Sequence, residues 1–262
     1  MENLKTLKTS LGQLFKITAL TMTLGLSANA TADVTDTIEK TLNFDSDGTI
    51  KLSNINGDVT IKACDCLQVT MTATISASSQ EVRDRITIDI DESSDYLRIA
   101  TKYAKNNERR WNNNRSEVTY DLSVPNAVNL DSISLVNGDL IVKGVSGELD
   151  AELVNGALKS DGNTSTTRVD MVNGDMEIRF SSLDNAKKID LESVNGDIEL
   201  YLPADADATI DADTVSGKIR NDFGLNVIKH KWVGSEMRGK IGSGKVTIDL
   251  ENVNGRIYVK SN

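Results

Sequence analysis

The chain has 262 residues, of which 39% are hydrophobic and only 4% are aromatic. This composition is typical of one elongated domain or two small domains with an aliphatic core, and it argues against an enzyme with an aromatic-lined cleft. The net charge of −10 argues against nucleic acids and anionic lipid surfaces as partners.

Residues 1–32 have the pattern of a secretory signal peptide. Their basic residues and apolar run are Lys5, Lys8, Lys16 and Ile17–Leu26, and the small residues that follow allow cleavage after Ala30 or Ala32. The run is too short to span a bilayer of about 30 Å, and no later stretch has the roughly 20 apolar residues of a membrane helix. We therefore expect export to the periplasm, the cell surface or the medium, with no transmembrane segment and a soluble protein after cleavage.

Residues 33–125 are predicted to form a strand-rich amino-terminal region. Apolar and polar residues alternate in each candidate strand, as expected of strands with one buried face. The candidates are Thr41–Phe44, Thr49–Leu52, Val59–Ile61, Val69–Ala73, Ile86–Ile90, Leu97–Ala100 and Tyr120–Val124. The one helix candidate is a turn or two at Ser79–Arg85. Pro125 should end the last strand because proline has no N–H for the ladder.

A basic, polar segment interrupts this region at residues 102–116. Its candidate contact residues are Lys105, Arg109, Arg110, Trp111 and Arg115, which lie among several asparagines in an otherwise acidic chain. Two interpretations are open: a solvated loop between two strands, or a contact loop for an acidic partner.

A five-residue pattern recurs along the chain and dominates residues 126–262. An apolar residue is followed by Asn or Ser, then Gly, a usually polar residue and another apolar residue, most often as Val-Asn-Gly-Asp. The copies are Ile55–Val59, Val136–Leu140, Val145–Leu149, Val154–Leu158, Val172–Met176, Val194–Ile198, Val215–Ile219 and Val253–Ile257, with a degenerate copy at Gly242–Val246. Internal repetition at a short period predicts an architecture built from stacked or meandering units.

The apolar residues of each unit keep a two-residue period but change phase once, which requires a bend, bulge or turn just before each copy. Two architectures make such corners: a meander of hairpins with Asn-Gly in type I′ turns, or a parallel solenoid whose coils of about 20 residues stack at about 4.8 Å. The residues on both sides of Asn-Gly are apolar, so we expect the corner to face a core. This expectation favours the solenoid.

The predicted fold is all-β: a single-stranded parallel β-solenoid or β-helix-like roll of about six coils in residues 126–262, preceded by the strand-rich region 33–125. The two regions can also be read as one continuous domain, 33–262. The predicted structural corner residues are Asn137, Gly138, Asn155, Gly156, Asn173, Gly174, Asn195, Gly196, Asn254 and Gly255.

Three stretches together resemble a known family. They are Val118–Pro125 leading into Ser134–Leu140, Val145–Leu149 with Val154–Gly156, and Gly239–Lys245 followed by Val253–Ile257. In this order they are similar to the bacterial putative-adhesin domain family of β-strand repeats, which is related to the head domains of some adhesins. The resemblance covers most of Asp33–Lys260. It implies an exported, repeat-built β domain of unestablished role, without catalytic or ligand residues to transfer.

Few residues of the sequence are candidates for catalysis or metal binding. His230 is the only histidine, and without a Gly-x-Ser-x-Gly elbow before it we interpret it as a surface residue. Cys64 and Cys66 are the only cysteines and are predicted to form a disulfide, with a redox-active or soft-metal pair as the alternative. We predict no catalytic residue, no cofactor and no metal site.

An acidic residue follows the motif glycine at Asp58, Asp139, Asp175 and Asp197. On adjacent coils such carboxylates would repel each other unless they were screened or bridged, and calcium is the cation that carboxylate oxygens suit. The calcium-binding repeat Gly-Gly-x-Gly-x-Asp is missing, however, so we expect alternating charge along a solvated edge.

Two function classes remain. The first is a non-catalytic exported envelope or surface protein, an adhesin-like binding or scaffold module that contacts an unknown protein or glycan of the cell envelope. The second is a carbohydrate-active β-helix hydrolase or lyase with clustered carboxylates. The small number of aromatic residues favours the first.

Overall fold

The computed structural model describes residues 33–104, 115–230 and 234–262, which belong to one compact unit. These residues form 19 strands: β1 Val34–Asn43, β2 Thr49–Asn56, β3 Val59–Cys64, β4 Gln68–Ala77, β5 Ile86–Glu92, β6 Tyr96–Tyr103, β7 Ser116–Pro125, β8 Asn129–Asn137, β9 Leu140–Lys143, β10 Leu149–Asn155, β11 Leu158–Asn173, β12 Met176–Asn195, β13 Ile198–Leu202, β14 Ala208–Ser216, β15 Ile219–Asn221, β16 Val227–Lys229, β17 Ser235–Ile241, β18 Val246–Asn254 and β19 Ile257–Ser261. The expectation of an all-β, solenoid-like fold is confirmed.

Parallel strands stack along two faces. One face, here called face A, has the strand order β2, β8, β10, the second half of β11, the second half of β12, β18 and β14. The other, face B, has the order β7, β3, β9, the first half of β11, the first half of β12, β13, β19 and β15. Each coil contributes one strand to each face.

The turn from face A to face B lies inside the repeated motif. In one coil, β12 ends at Asn195 and β13 begins at Ile198, so Gly196 and Asp197 make the turn. The expectation of a bend before each motif is therefore wrong in its position. The motif valine is the last outward residue of face A, and the inward phase changes only after the glycine.

Two of the nine motif copies do not lie at the turn from face A to face B. Val145–Leu149 falls between β9 and β10, and Gly242–Val246 falls between β17 and β18, where the chain returns from one strand to the start of the next coil. The remaining seven copies lie at the turn from face A to face B. The residue pattern is the same because both positions need a tight turn with a glycine.

The order of the coils at the carboxy-terminal end differs from the order of the chain. The β18–β19 pair lies between the β12–β13 coil and the β14–β15 coil: β18 pairs in parallel with β12 and with β14, and β19 pairs with β13 and β15. At this end, therefore, a coil does not always stack on the coil that precedes it in the chain. Beyond β14, the antiparallel strands β17 and β16 close this end of face A.

Antiparallel strands close the other end. On face B, β7 pairs antiparallel with β4, and β4 with β1. On face A, β6 extends the parallel stack beside β2 and pairs antiparallel with β5. Strands on the two sides of Pro125 pair directly, because β2 is bonded to β8 and β3 to β9. The two predicted regions thus share one continuous hydrogen-bonded stack.

The core is filled mainly by Val, Ile and Leu that alternate with outward residues along each strand, and Tyr120 and Phe180 are its largest fully buried side chains. All strand candidates from the sequence fall in strands except Phe44, which follows β1 and is buried. The expected helical turn is α1, Gln80–Arg83, which begins after Ser79 because the Ser79 hydroxyl accepts the Val82 N–H. No helix among the described residues has the length and apolar character needed to cross a membrane.

Candidate functional site

The corner glycines stack backbone on backbone. The N–H of Gly174 donates to the Asn195 carbonyl of the next coil at 2.9 Å, and the same bond recurs at Gly57, Gly138, Gly156 and Gly196. A Cβ built on Gly196 would lie well under 3.0 Å from the Gly174 carbonyl oxygen, and its φ of +138° is one that other residues rarely adopt. Glycine is required because the coils approach too closely for a side chain.

The corner asparagines form a side-chain ladder beside the glycines. The Nδ2 of each asparagine donates to the Oδ1 of the asparagine one coil away, at 2.9–3.0 Å. The ladder runs through Asn56, Asn137, Asn155, Asn173, Asn195 and Asn254. Each inner asparagine both donates and accepts one of these hydrogen bonds. The ladder therefore gives the side-chain amides hydrogen-bond partners at a corner that is exposed to water.

The acidic residues after the glycines accept backbone N–H groups of the neighbouring coil. The Asp175 carboxylate accepts the Asp197 N–H at 2.9 Å, and Asp58, Asp139 and Asp197 accept the corresponding N–H of the next coil. Burial raises the pKa of Asp197, but the hydrogen bonds from Arg256 outweigh burial and leave that pKa below its usual value. These aspartates therefore join coils, and no group of three or more potential metal ligands occurs among the described residues.

The first residue of the motif is exposed. Seven such residues form a row across face A, here called the apolar stripe: in stack order, Ile55, Val136, Val154, Val172, Val194, Val253 and Val215, with exposed fractions of 37–54%. We expected the corner to face a core on both sides of Asn-Gly. That expectation is wrong for this position, since only the fifth residue of the motif is buried.

An acidic row runs beside the apolar stripe. Two residues before five of the stripe valines, carboxylates lie in register on adjacent strands of face A, and a sixth carboxylate lies in register on β17. The acidic row consists of Glu152, Asp170, Glu192, Glu251, Asp213 and, on antiparallel β17, Glu236. Residues paired in register lie about 4.8 Å apart along the stack.

Like charges surround Glu192 in this row. Burial against its neighbours is the largest cause that raises the Glu192 pKa above its usual 4.5, and the carboxylates of Asp170, Glu251 and Asp190 raise it further, against a smaller opposing effect of Arg168. Burial likewise raises the pKa of Asp213, with a contribution from Asp211. The folded protein therefore disfavours the ionised form of both groups.

The substitution Glu192→Gln should stabilise the fold at neutral pH. Since the folded state raises the pKa of Glu192, stability is lost as the pH rises through the window between the usual pKa and the raised one. Removing the charge should add about 0.5 kcal/mol at pH 7, the size of a like-charge pair across adjacent strands, and the gain should vanish below about pH 4. Urea unfolding at both pH values measures it.

The control for this substitution is Glu39→Gln. Glu39 is exposed on the edge strand β1, pairs in register with Thr72 and has no ion pair in the described residues. We expect no change in its unfolding free energy at either pH. An equal gain in both variants would show that the effect is one of net charge and not of the acidic row.

Between the acidic row and the apolar stripe lies a groove of about 760 Å³. Its lining includes Glu152, Glu192 and Glu251 with Val154, Val172, Val194 and Val253, and no aromatic residue is among the described residues that line it. Sugar subsites commonly use an aromatic ring for stacking. The groove does not have that feature of a carbohydrate-active enzyme.

Two tyrosines, Tyr201 and Tyr258, lie on face B instead. The Arg179 guanidinium is 3.7 Å from the centre of the Tyr201 ring, and Lys260 Nζ is 4.8 Å from that centre. Lys260 also pairs with Glu199 at 2.7 Å, and this hydrogen bond lowers the Glu199 pKa. Cations of the protein itself already contact the Tyr201 ring, so its face is not an open stacking platform.

The other candidate residues lie apart from this groove. The sulfurs of Cys64, the last residue of β3, and Cys66 are within bonding distance, with Cα atoms 5.3 Å apart, and the disulfide stays a prediction. Lys105, Arg109, Arg110 and Trp111 lie outside the described residues, whereas Arg115 is exposed beside Glu117 at the end of the stack. His230 is half exposed, with Nε2 3.6 Å from Glu236.

The sequence contained a signal for the acidic row that we did not use. An acid occurs two residues before the motif valine in five copies, at Glu152, Asp170, Glu192, Asp213 and Glu251. This signal can be used only after the seven motif copies at the turn from face A to face B are distinguished from the other two. Only the strands that end at those seven copies are neighbours on face A.

Comparison with known proteins agrees with this architecture. The family model described as Toastrack DUF4097 matches residues 45–260. A protein from Clostridium sporogenes ATCC 15579, described as a putative cell adhesion protein, is 18% identical with a TM-score of 0.50, over 88% of this chain and 100% of that one. A putative adhesin from Bacteroides fragilis NCTC 9343 is 12% identical with a TM-score of 0.30, over 87% and 97% of the two chains.

At 18% identity, the likeness to the Clostridium sporogenes structure concerns the fold alone. A search of curated proteins gave no match. The family match extends over most of the chain, from just after β1 into β19, and includes the seven motif copies at the turn from face A to face B. The chain belongs to the Toastrack DUF4097 family.

Proposed function

We propose that the protein is an exported, non-catalytic binding scaffold of the cell envelope, adhesin-like in that it holds another envelope component on a rigid face. In this proposal, residues 1–32 are a signal peptide, residues 33–262 are one continuous domain, and the Val-Asn-Gly-Asp repeat is the unit from which a single-stranded parallel solenoid is built. The partner is a protein or a glycan.

The observation that carries the proposal is the outer surface of face A. Seven exposed apolar residues and a row of carboxylates run across successive coils whose corners are joined by stacked glycines, asparagines and aspartates. A surface built on rigid, mutually bonded strands keeps its shape when a partner binds, which reduces the entropy cost of association.

The site chemistry favours binding over catalysis. In the described residues, His230 contacts a glutamate rather than a nucleophile, and the groove on face A has carboxylates without an aromatic ring. A glycosidase uses two carboxyls with separate roles, one of them kept protonated, beside a bound sugar. A row of equivalent carboxylates at strand spacing does not distinguish an acid from a nucleophile.

The test is affinity capture with the mature protein, residues 33–262, from the cell envelope of its own organism. We expect a specific envelope component to be retained and the same preparation to leave envelope polysaccharides intact. A second bait without residues 105–114 tests the predicted contact loop, since a component lost with that loop would assign it a role. Polysaccharide turnover abolished by single carboxylate substitutions would contradict the proposal.

A further inference from the structure

The apolar stripe has no structural reason to be apolar. Its residues point outward at the end of each face A strand, while the residue before each of them is buried, such as Leu153 before Val154 and Met171 before Val172. A polar residue at the stripe would leave the core unchanged. Contiguous exposed apolar rows of this kind mark interaction surfaces.

The acidic row is largely uncompensated. Glu152, Glu192 and Glu251 have no ion pair among the described residues. Asp170 is paired with Arg168, which also lines the groove, at 3.1 Å, and Asp213 has only Arg238 at 3.8 Å. The next row outward differs, because Lys188 bridges Asp190 at 2.8 Å and Asp249 at 3.0 Å, and Arg238 holds Asp211 at 3.0 Å. The fold thus pairs these acids of the row farther from the apolar stripe and leaves three glutamates of the adjacent row, Glu152, Glu192 and Glu251, without a cation.

Polar atoms at the same place are also unsatisfied. Ser193 lies between Glu192 and Val194 in sequence, and Asn252 lies between Glu251 and Val253; both line the groove and are over nine-tenths buried. The Ser193 hydroxyl and the Asn252 Oδ1 have no hydrogen-bond partner in the described part of the chain. Both side chains lie at inward positions of their strands, beneath the groove, so the surface of the groove itself presents negative charge and exposed valines.

We propose that this groove binds a cationic polypeptide segment that lies along the stack, with Lys or Arg on the acidic row and apolar side chains on the apolar stripe. The inference deepens the proposed function by naming the partner's chemistry, and it rests on that function. A cationic segment is complementary to the uncompensated carboxylates, and its apolar residues cover the valines. A neutral glycan would satisfy neither feature.

The spacing sets the length of the segment. The rungs from Glu152 to Asp213 are five adjacent strands, which at about 4.8 Å per strand extend over about 19 Å. An extended chain rises about 3.3 Å per residue, so about six residues cover these rungs. Lys or Arg at alternate positions would point to the same side and meet the carboxylates.

The experiment measures fluorescence anisotropy of a labelled peptide of alternating lysine and valine, about eight residues long, titrated with the mature protein. We expect the triple variant E152Q/E192Q/E251Q to weaken binding by about tenfold or more, because it removes three uncompensated charges. The triple variant V154S/V172S/V194S should weaken it several-fold without changing net charge. A lysine–serine peptide should bind less tightly than the lysine–valine peptide.

The matched control is E39Q/D47N/D65N, which also removes three negative charges, but from exposed positions outside the groove. It should bind the peptide as the unsubstituted protein does at about 0.15 M salt, where exposed charges more than about 8 Å away are screened. Equal weakening in the two charge variants would show non-specific attraction and overturn the proposal. Unchanged binding in the groove variants would overturn it as well.

Two further results separate the proposals. Envelope capture that is unaffected by E152Q/E192Q/E251Q would leave the proposed function standing and refute the groove as its site. Self-association in sedimentation that this variant abolishes would identify the occupant as the basic segment 102–116 of a second copy, and would overturn a separate cationic partner. Far-UV circular dichroism of each variant confirms that the fold is retained.

Discussion

Gly196→Ala should destabilise the protein by at least about 3 kcal/mol, enough to lower its thermal midpoint by several degrees or to prevent folding. The new Cβ would meet the Gly174 carbonyl oxygen well inside 3.0 Å. That backbone cannot retreat without cost, because the Gly174 N–H is bonded to the Asn195 carbonyl of the same coil as Gly196. The positive φ of Gly196 adds about 1–2 kcal/mol of strain.

Gly224→Ala separates these two causes. Gly224 also has a positive φ, of +72°, but no atom lies within 4 Å of a Cβ built there. We expect it to lose only the strain energy, about 1–2 kcal/mol. Urea unfolding of both variants gives the comparison. If Gly196→Ala were no more destabilising than Gly224→Ala, close stacking of the corners would not be what requires glycine.

Removal of residues 245–262 should abolish cooperative folding, although they are the last residues of the sequence given. The segment contains β18 and β19, which lie between two other coils and not at the end of the stack. It carries five fully buried aliphatic side chains, Val246, Ile248, Leu250, Ile257 and Val259. At about 2 kcal/mol each, their burial contributes about 10 kcal/mol, which is comparable with the whole stability of a domain.

The control truncation begins the mature chain at Phe44 and removes β1. That strand pairs only with β4, and its side chains alternate between exposed and half-buried, with none fully buried. We expect this chain to keep a cooperative urea transition with a lower midpoint. A cooperative transition of comparable midpoint in the chain ending at Gly244 would show that β18 and β19 do not join the two coils. Circular dichroism and urea unfolding measure both.

Local features were predictable because they depend on neighbouring residues. Alternation placed the strands of the amino-terminal region, a turn or two at Ser79–Arg85 was the one helix candidate, and recurring glycine indicated a corner at which backbones crowd. The side of the corner on which the motif valine lies was not predictable. The sequence Val-Asn-Gly is the same whether the strand turns before the valine or after it. The position of the turn is decided by the packing of Leu153 and Met171, which precede two of the valines, into the core.

The candidate site could not be assembled from the sequence for a related reason. Glu192 and Glu251 are separated by 59 positions in the chain yet lie in register on neighbouring strands. The pairing depends on β18 lying between β12 and β14. Other orders of the coils would bury nearly the same pattern of apolar residues. The choice among these orders rests on the summed packing of many side chains rather than on any local preference.

The sequence by itself determined an all-β chain with an aliphatic core and glycine corners at a short period, because strand alternation and the steric needs of glycine act over a few residues. Only the tertiary structure decided which coils are neighbours, and hence that exposed valines and uncompensated carboxylates line one groove on face A. Register between distant strands is set by long-range packing, and it is this register that turns scattered acids into a continuous row.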